Sequence, residues 1–490
     1  MTAEQIEKNR WKALLVLCTG MLMIVLDATV VNVALPSIQD DLGFTQSSLA
    51  WVVNAYLIAF GGLLLLAGRL GDLISRRGMF LSGLLVFTLA SLACGMSQSE
   101  GMLIVSRFIQ GVGGAMTSAV VLGMIFTMFP EPREQARAMG VFSFVASGGG
   151  SVGLIAGGVL TDVINWHWIF FINLPIGIAT AVFALRYVTA DRGPGFAKGA
   201  DVLGAVLSTS SLMLLVYTIV KPAAEDGWGA GVTLGCLAGA IALGVAFVVR
   251  ESTTASPLIP LRIFRSRTVA ASNIIQALLV AGMFGTFFMG SLYLQRILHY
   301  SPLEIGLAFL PLTLVMGVLS LRYSERLIMR FGPRRTLVPG MSLVLLGLLL
   351  FARTPVDGNY LTDLFPIMPL IGAGFAISGP SLVTLAMSGA EPQDAGLASG
   401  LINTTTQVGG ALGLAVLATL AGTRTDHLRS AGDSVASSLN GGYHLGYLLA
   451  AGLTFIALAI AGLVLREQGA PALAHGEHGG QPDAACAEAA

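Results

Sequence analysis

The sequence predicts an all-α membrane protein of fourteen transmembrane helices: two six-helix bundles plus an inserted central helix pair. Three observations predict it. Of 490 residues, 54% are hydrophobic and only 11% charged, with a mean hydropathy of +0.79, against about 25% charged in soluble domains. Apolar runs near the roughly 20 residues that cross a bilayer recur along the chain. The basic residues alternate between the segments that join those runs, as the positive-inside rule requires.

Taken in order, the runs lie near 13–35, 50–68, 79–97, 102–128, 138–160, 168–189, 202–220, 231–249, 270–294, 304–321, 336–353, 363–388, 397–421 and 443–465. Each is an expected helix, because lipid offers no partner to a backbone N–H or C=O. The first run is longer than a signal-peptide core and is read as a span rather than a leader. The run 363–388 contains Pro366, Pro369 and Pro380, which predicts a kink. The 61 glycines suit close helix contact in a medium without a hydrophobic drive between helices.

With the N-terminus inside, 21 of the 27 basic residues fall on cytoplasmic segments, five on external ones, and Arg107 falls within a run. Both termini are therefore expected in the cytoplasm. A weak repeat supports the halves. The turn after the second run, Gly68 to Arg77, and the turn after the tenth, Met329 to Arg335, are both short and basic. Two related six-helix sets are the pattern of a secondary transporter, with substrate held between them. The expected division is 1–190 and 251–466 for the bundles, with 191–250 an inserted helix pair. The tail 467–490 is rich in Ala, Gly, Glu and His and reads as disordered, with His475 and His478 in a solvated segment.

Other function classes find little support. Net charge is zero, so no nucleic-acid partner is implied. Cys18, Cys94, Cys236 and Cys486 show neither a disulfide framework nor metal spacing. No phosphate-cradling loop and no nucleophile–base pair is evident, so neither an enzyme nor a cofactor is expected. Arg outnumbers Lys, and Ala and Gly are frequent, a compositional hint of a bacterial source.

The candidate site starts from Leu26-Asp27-Ala28-Thr29-Val30-Val31-Asn32-Val33-Ala34-Leu35-Pro36. An Asp near mid-bilayer costs roughly 2.5–3.5 kcal/mol on insertion scales and is a functional hypothesis by default. Desolvation favours the neutral form of a carboxyl, which suits proton exchange. The plainer reading is a static pair with Arg107, which sits at similar depth in the fourth run. Gln110, Gly111 and Gly114 follow Arg107 at i+3, i+4 and i+7 on one helix face, polar and small as a cavity wall would be. Gly149, Gly153 and Gly157 form a smooth groove in the fifth run. Phe284, Phe287 and Phe288 are candidate stacking partners for a lipophilic ligand, although aromatics in membranes are mostly packing. Asn403, Thr404, Thr405, Thr406 and Gln407 are candidate hydrogen-bonding groups. The last six runs hold no deeply placed acid, so neutral or monovalent lipophilic substrates are expected.

Five segments carry a resemblance. They are the Asp27 segment, the Gly68–Arg77 turn, Arg107-Phe108-Ile109-Gln110-Gly111-Val112-Gly113-Gly114-Ala115, the segment from Gly149 to Gly158, and Trp166-His167-Trp168-Ile169-Phe170-Phe171-Ile172-Asn173-Leu174-Pro175-Ile176-Gly177. Together, in order, they resemble the 14-helix drug:proton antiporters of the major facilitator superfamily, up to about Leu465. Ser75 stands where that family has Gly, Leu154 where it has Pro, and His167 where it has Arg. The resemblance implies a proton-coupled exporter of hydrophobic drugs or antibiotics in the bacterial cytoplasmic membrane, acting as a monomer on a lipophilic substrate and protons. A dedicated exporter of one lipid, siderophore or antibiotic is the alternative, and a non-transporting sensor a more distant one. The resemblance further implies that Asp27 and Arg107 couple protons, and that Gly68, Asp72, Arg76 and Arg77 latch onto the other half. It also implies that Gly149, Gly153, Gly157 and Gly158 lie where the halves slide.

Overall fold

The structure is a computed structural model. It describes residues 3–465 except 46–47, 130, 192, 194, 196–200, 226, 255–256 and 391–394. The expected tail 467–490 lies outside the described residues. Helices carry almost the whole described chain: α1 (Ala3–Leu42), α2 (Ala50–Leu73), α3 (Arg76–Gly95), α4 (Glu100–Met128), α5 (Pro132–Val163), α6 (Trp168–Phe171), α7 (Asn173–Tyr187), α8 (Val202–Val220), α9 (Pro222–Glu225), α10 (Gly231–Thr253), α11 (Arg267–Arg296), α12 (Pro302–Leu319), α13 (Glu325–Phe331), α14 (Pro333–Phe351), α15 (Ile367–Ser388), α16 (Ala395–Ser430) and α17 (Val435–Leu463). Thirteen described spans are long and apolar enough to cross a bilayer. The fourteenth crossing is α5, whose apolar stretch is Val152–Val163.

Successive crossings reverse direction, so the start of α1 and both basic turns share one face of the bundle, the basic face. The first half is α1–α7, and within it α3 packs on α4, α2 on α4, and α5 and α7 on α1. The second half is α11–α17, with α11 on α16 and α17, and α14 on α15. The halves meet where α2 packs on α16, α5 on α12 and α1 on α11. The inserted pair leans on that junction: α8 touches both α2 and α16, and α10 packs on α8. Only 11% of the most apolar window of α10 is buried, the profile of a helix facing lipid.

Two elements depart from the expected run boundaries. The tenth run does not stop near residue 321. A π-helical stretch over Ser320–Ser324 carries the chain into α13, so Arg322, Arg326 and Arg330 ride on a helix that ends at Gly332, where φ is +82°. That left-handed value is open to glycine without a Cβ penalty. The twelfth run opens with a second π-helical turn, Tyr360–Leu364, before α15. Pro366 and Pro369 then sit at the entrance of α15, and only Pro380 lies inside it.

Close approach between helices is bought by glycine at specific points. A Cβ on Gly113 would lie 2.4 Å from the Phe87 backbone nitrogen, and one on Gly111 2.4 Å from the Tyr56 carbonyl oxygen. These contacts seat α4 against α3 and α2 and fix the position of Arg107 between them.

Candidate functional site

Asp27 lies midway along α1 and is 1% exposed, as is Arg107 on α4. Arg107 Nη1 donates to Asp27 Oδ2 at 2.5 Å and to Gln110 Oε1 at 2.7 Å. Arg107 Nε donates to the Val52 carbonyl at 2.9 Å, and the guanidinium lies 4.4 Å from the Tyr56 ring centroid and 5.7 Å from that of Phe170. Gln110 Nε2 donates to Asp27 Oδ1 at 2.7 Å and to Ser91 Oγ at 3.2 Å. Asn173 Nδ2 reaches the same Asp27 Oδ1 at 3.2 Å and Ser91 Oγ at 3.0 Å. The ionised pair is thereby compensated by charge and by hydrogen bonds, the condition for burying it at all.

The local sequence explains the assembly. Gln110 follows Arg107 by three residues, so both side chains leave α4 on one face. Asn173 opens α7, one residue after α6, with Ile172 between them in helical conformation. The Phe170 carbonyl accepts from Ser91 Oγ at 2.9 Å. Cys94 Sγ donates weakly to Gln110 Oε1 at 3.5 Å, so both ends of the Gln110 amide are held.

Several expected roles change here. Gln110, Gly111 and Gly114 do not line an open cavity wall. Gln110 is fully buried in the ion-pair network, while Gly111 and Gly114 are seats for Tyr56 and Phe60 of α2. The glycine groove of α5 does not face the other half. Cβ atoms on Gly149, Gly153 and Gly157 would meet Leu22 and Val25, Thr29, and Val30 of α1. Contact with the other half falls to Gly158, against the backbone of Pro302 and Leu303, and to the Leu154 carbonyl, against Gly306. Side-chain volume at these points would separate backbones. Leu154, where the resembling family has Pro, leaves α5 unbroken from Pro132 to Val163.

The expected latch is also turned inward on its own half. Asp72 pairs with Arg76 at 2.8 Å, and Arg76 also donates to Thr127 Oγ1 at 2.8 Å and the Gly123 carbonyl at 3.2 Å. Arg77 donates to the Leu185 carbonyl at 2.7 Å. Gly68 approaches only Ala119 of α4. Ser75 caps α3 by accepting from the Gly78 N–H at 2.9 Å and donates to Asp191 Oδ1 at 2.8 Å. Burial opposes ionisation of Asp191, but hydrogen bonds from the Arg76 N–H, the Ser75 hydroxyl and the Arg77 N–H outweigh it and hold its pKa below the usual carboxylate value.

In the second half, Thr405 Oγ1 donates to Asn273 Oδ1 at 2.7 Å and Gln276 Nε2 to Thr406 Oγ1 at 2.9 Å. Asn273 and Gln276 were not singled out from sequence, though each is an amide within an apolar run. Gln407 packs at Gly61 of α2, and Phe284 lies against Gly410 of α16. Phe288 is 1% exposed and belongs to the core rather than a binding surface, and Phe287 stacks on Phe309 at 5.1 Å between centroids. Asn403 is exposed. At the face opposite the basic one, Arg296 of α11 pairs with Asp40 and donates to Gln39 Oε1 of α1 at 3.2 Å. Asp41 accepts from Trp166 Nε1 at 2.9 Å. A cavity of about 440 Å³ lies between the inserted pair and the first half, lined by Trp51, Phe108, Thr209, Met213, Tyr217 and Leu243.

A two-bundle helical membrane protein with a sealed ion pair in one bundle is a secondary transporter by architecture, not an enzyme. The chain belongs to the Major Facilitator Superfamily, whose family model matches residues 17–414. It is 38% identical over 462 residues to a puromycin resistance protein of Streptomyces alboniger, covering 94% of this chain and 90% of that one. It is 40% identical over 415 residues to a cephamycin export protein of Amycolatopsis lactamdurans, covering 84% and 85%. Among solved structures it resembles an inward-facing bacterial homologue of the human lysosomal transporter Spinster, at 16% identity and a TM-score of 0.67 over 93% of this chain and 97% of that chain. This last likeness shows the fold alone.

Proposed function

We propose that this protein exports a lipophilic antibiotic or drug in exchange for protons across the bacterial cytoplasmic membrane, with its basic face in the cytoplasm. The observation that carries the coupling is the Asp27–Arg107 pair, buried at 1% exposure each and tied at 2.5 Å. Protonating Asp27 removes the negative charge that compensates Arg107, and a buried ion pair that loses one partner loses about 3–5 kcal/mol. The remaining Arg107 bonds, to Val52 and Gln110, hold it on α2 and α4. The tie that weakens is the one to α1.

Asp27 and Asp40 lie on the same helix, α1 (Ala3–Leu42), with Pro36 inside it between them. On one side it rests in the Gly149–Gly153–Gly157 groove, where Leu22, Val25, Thr29 and Val30 of α1 come too close for side chains on α5. At its end it joins the second half through Arg296. A proton at Asp27 thus acts on the closure between the halves through the position of α1. In this orientation the Arg296 tie and the Gly158–Leu303 contact join the halves at the external end.

A second reading, export of one particular compound, draws support from relatives that are each named for a single antibiotic. The test of the main reading is gradient-driven efflux from liposomes holding the purified protein. Transport by the parent that vanishes in Asp27→Asn supports proton exchange, and transport indifferent to both gradient and substitution rejects it. A resistance panel separates broad from single-compound export.

A further inference from the structure

Among the described residues, every side-chain atom hydrogen-bonded to the carboxylate of Asp27 is a donor. Oδ2 receives Arg107 Nη1, and Oδ1 receives Gln110 Nε2 and Asn173 Nδ2. This shell fits an ionised carboxylate. It does not fit a carboxylic acid, whose O–H needs an acceptor that none of these three atoms provides. A proton arriving at Asp27 therefore requires a neighbouring group to turn.

Resting on the proton-exchange reading, we infer that Asn173 is the group that turns, and that its Oδ1 accepts the hydrogen bond of protonated Asp27. Asn173 is fully buried, and its Oδ1 has no hydrogen-bond partner. Its hold on the carboxylate is the longest of the three, at 3.2 Å. Gln110 is not free to do this. Its Oε1 already accepts from Arg107 and Cys94, so turning it would break the anchorage of the guanidinium. Half a turn about the last side-chain bond of Asn173 brings Oδ1 to the place of Nδ2, beside both Asp27 and Ser91. Ser91, which now donates to the Phe170 carbonyl, has a rotatable hydroxyl that can donate to the incoming oxygen instead. One atom of the amide is unpartnered in either orientation, so the turn creates no additional orphan in Asn173 itself.

The ionisable groups that meet this site are Asp27 from α1, Tyr56 from α2, Cys94 from α3 and Arg107 from α4, and α7 contributes the neutral Asn173. The Tyr56 hydroxyl is also unpartnered, but it lies against Gly114, one helical turn beyond Gln110. Asn173 is thus a positioning residue for the proton.

The test is infrared difference spectroscopy of the full protein in lipid, titrated with pH, following the C=O stretch of the protonated carboxyl assigned to Asp27 by its loss in Asp27→Asn. Asn173→Leu keeps the size of the side chain and removes both polar atoms. The expected result is a band at higher frequency, because the O–H no longer donates; the band position is the readout, since the substitution removes a donor from the ionised carboxylate as well as an acceptor from the acid. Asn173→Thr retains a hydroxyl acceptor and is expected to restore part of that band shift, which a purely structural role would not do. A band that appears in the parent and is unmoved in Asn173→Leu and Asn173→Thr overturns the role of Asn173 while leaving proton exchange standing. A parent that shows no such band at any pH sinks both.

Discussion

Two seams in this molecule bury polar side chains at depth, and they are built differently. In the first half, α1 meets α4 and α7 around a charge pair with amide and hydroxyl support. In the second half, α11 meets α16 through Asn273–Thr405 and Gln276–Thr406, all neutral. Both satisfy the rule that a polar group in hydrocarbon must have a partner. Only the first has a group whose partner set becomes wrong when a proton arrives. The contrast puts the carboxylate that the proposed proton exchange needs in one bundle, while the α11–α16 contacts have no ionisable member.

The largest expected effect is at the charged seam. Asp27→Asn leaves Arg107 buried without its counter-charge and is expected to lower stability by about 3–5 kcal/mol, together with loss of gradient-driven transport. Thermal unfolding in detergent and liposome efflux read the two effects separately. If the variant transports like the parent, the contrast between seams is broken.

Next comes the seat of that seam. Gly111→Ala places a methyl 2.4 Å from the Tyr56 carbonyl and is expected to cost about 1–3 kcal/mol by overpacking, seen as a lower unfolding midpoint at every pH. At the neutral seam, Gln276→Leu is expected to cost about 1 kcal/mol and to leave the pH profile of transport unchanged. A pH profile that moves in Gln276→Leu would erase the distinction.

Smaller still is the tie at the face opposite the basic one. Arg296→Ala removes a pair in which Asp40 is more than half exposed, so no more than about 1 kcal/mol is expected. The sharper readout is labelling of a cysteine introduced at the outer end of α1, expected to become faster as that end opens. The smallest effect is at the basic turn. The depressed pKa of Asp191 means that its clamp on the start of α3 is fully present above the unfolded Asp value of about 3.9. The clamp is lost as pH falls through the lower folded value. Hydrogen exchange at the Arg76 and Arg77 amides is expected to quicken only in that acid window, and Asp191→Asn should show it already at neutral pH.

The span count was legible because the bilayer imposes one length and one composition on every crossing. Asp27 and Arg107 were legible as single charges inside apolar runs. Asn173 stood within a segment already singled out, yet its part in the site was not readable. Nothing local says that this amide faces α1 rather than lipid. The Gly149–Gly157 groove was readable as a groove, but its occupant was not. Which helix fills it is a matter of packing between segments more than a hundred residues apart. Ser75 looked like a departure from a motif until Asp191, some 116 residues later, was found bonded to its hydroxyl.

By itself, then, the sequence determined the all-helical membrane class, the number of crossings and the expected inward side, because those follow from transfer free energies summed along the chain. The tertiary structure decided which donors surround Asp27, that the basic turn of Asp72 grips its own half, and that α1 carries both the ion-pair carboxylate and the Asp40 that meets Arg296. Those depend on distances between helices, which the close contacts of glycine and the orientation of single amides set, and which no periodicity along the chain records.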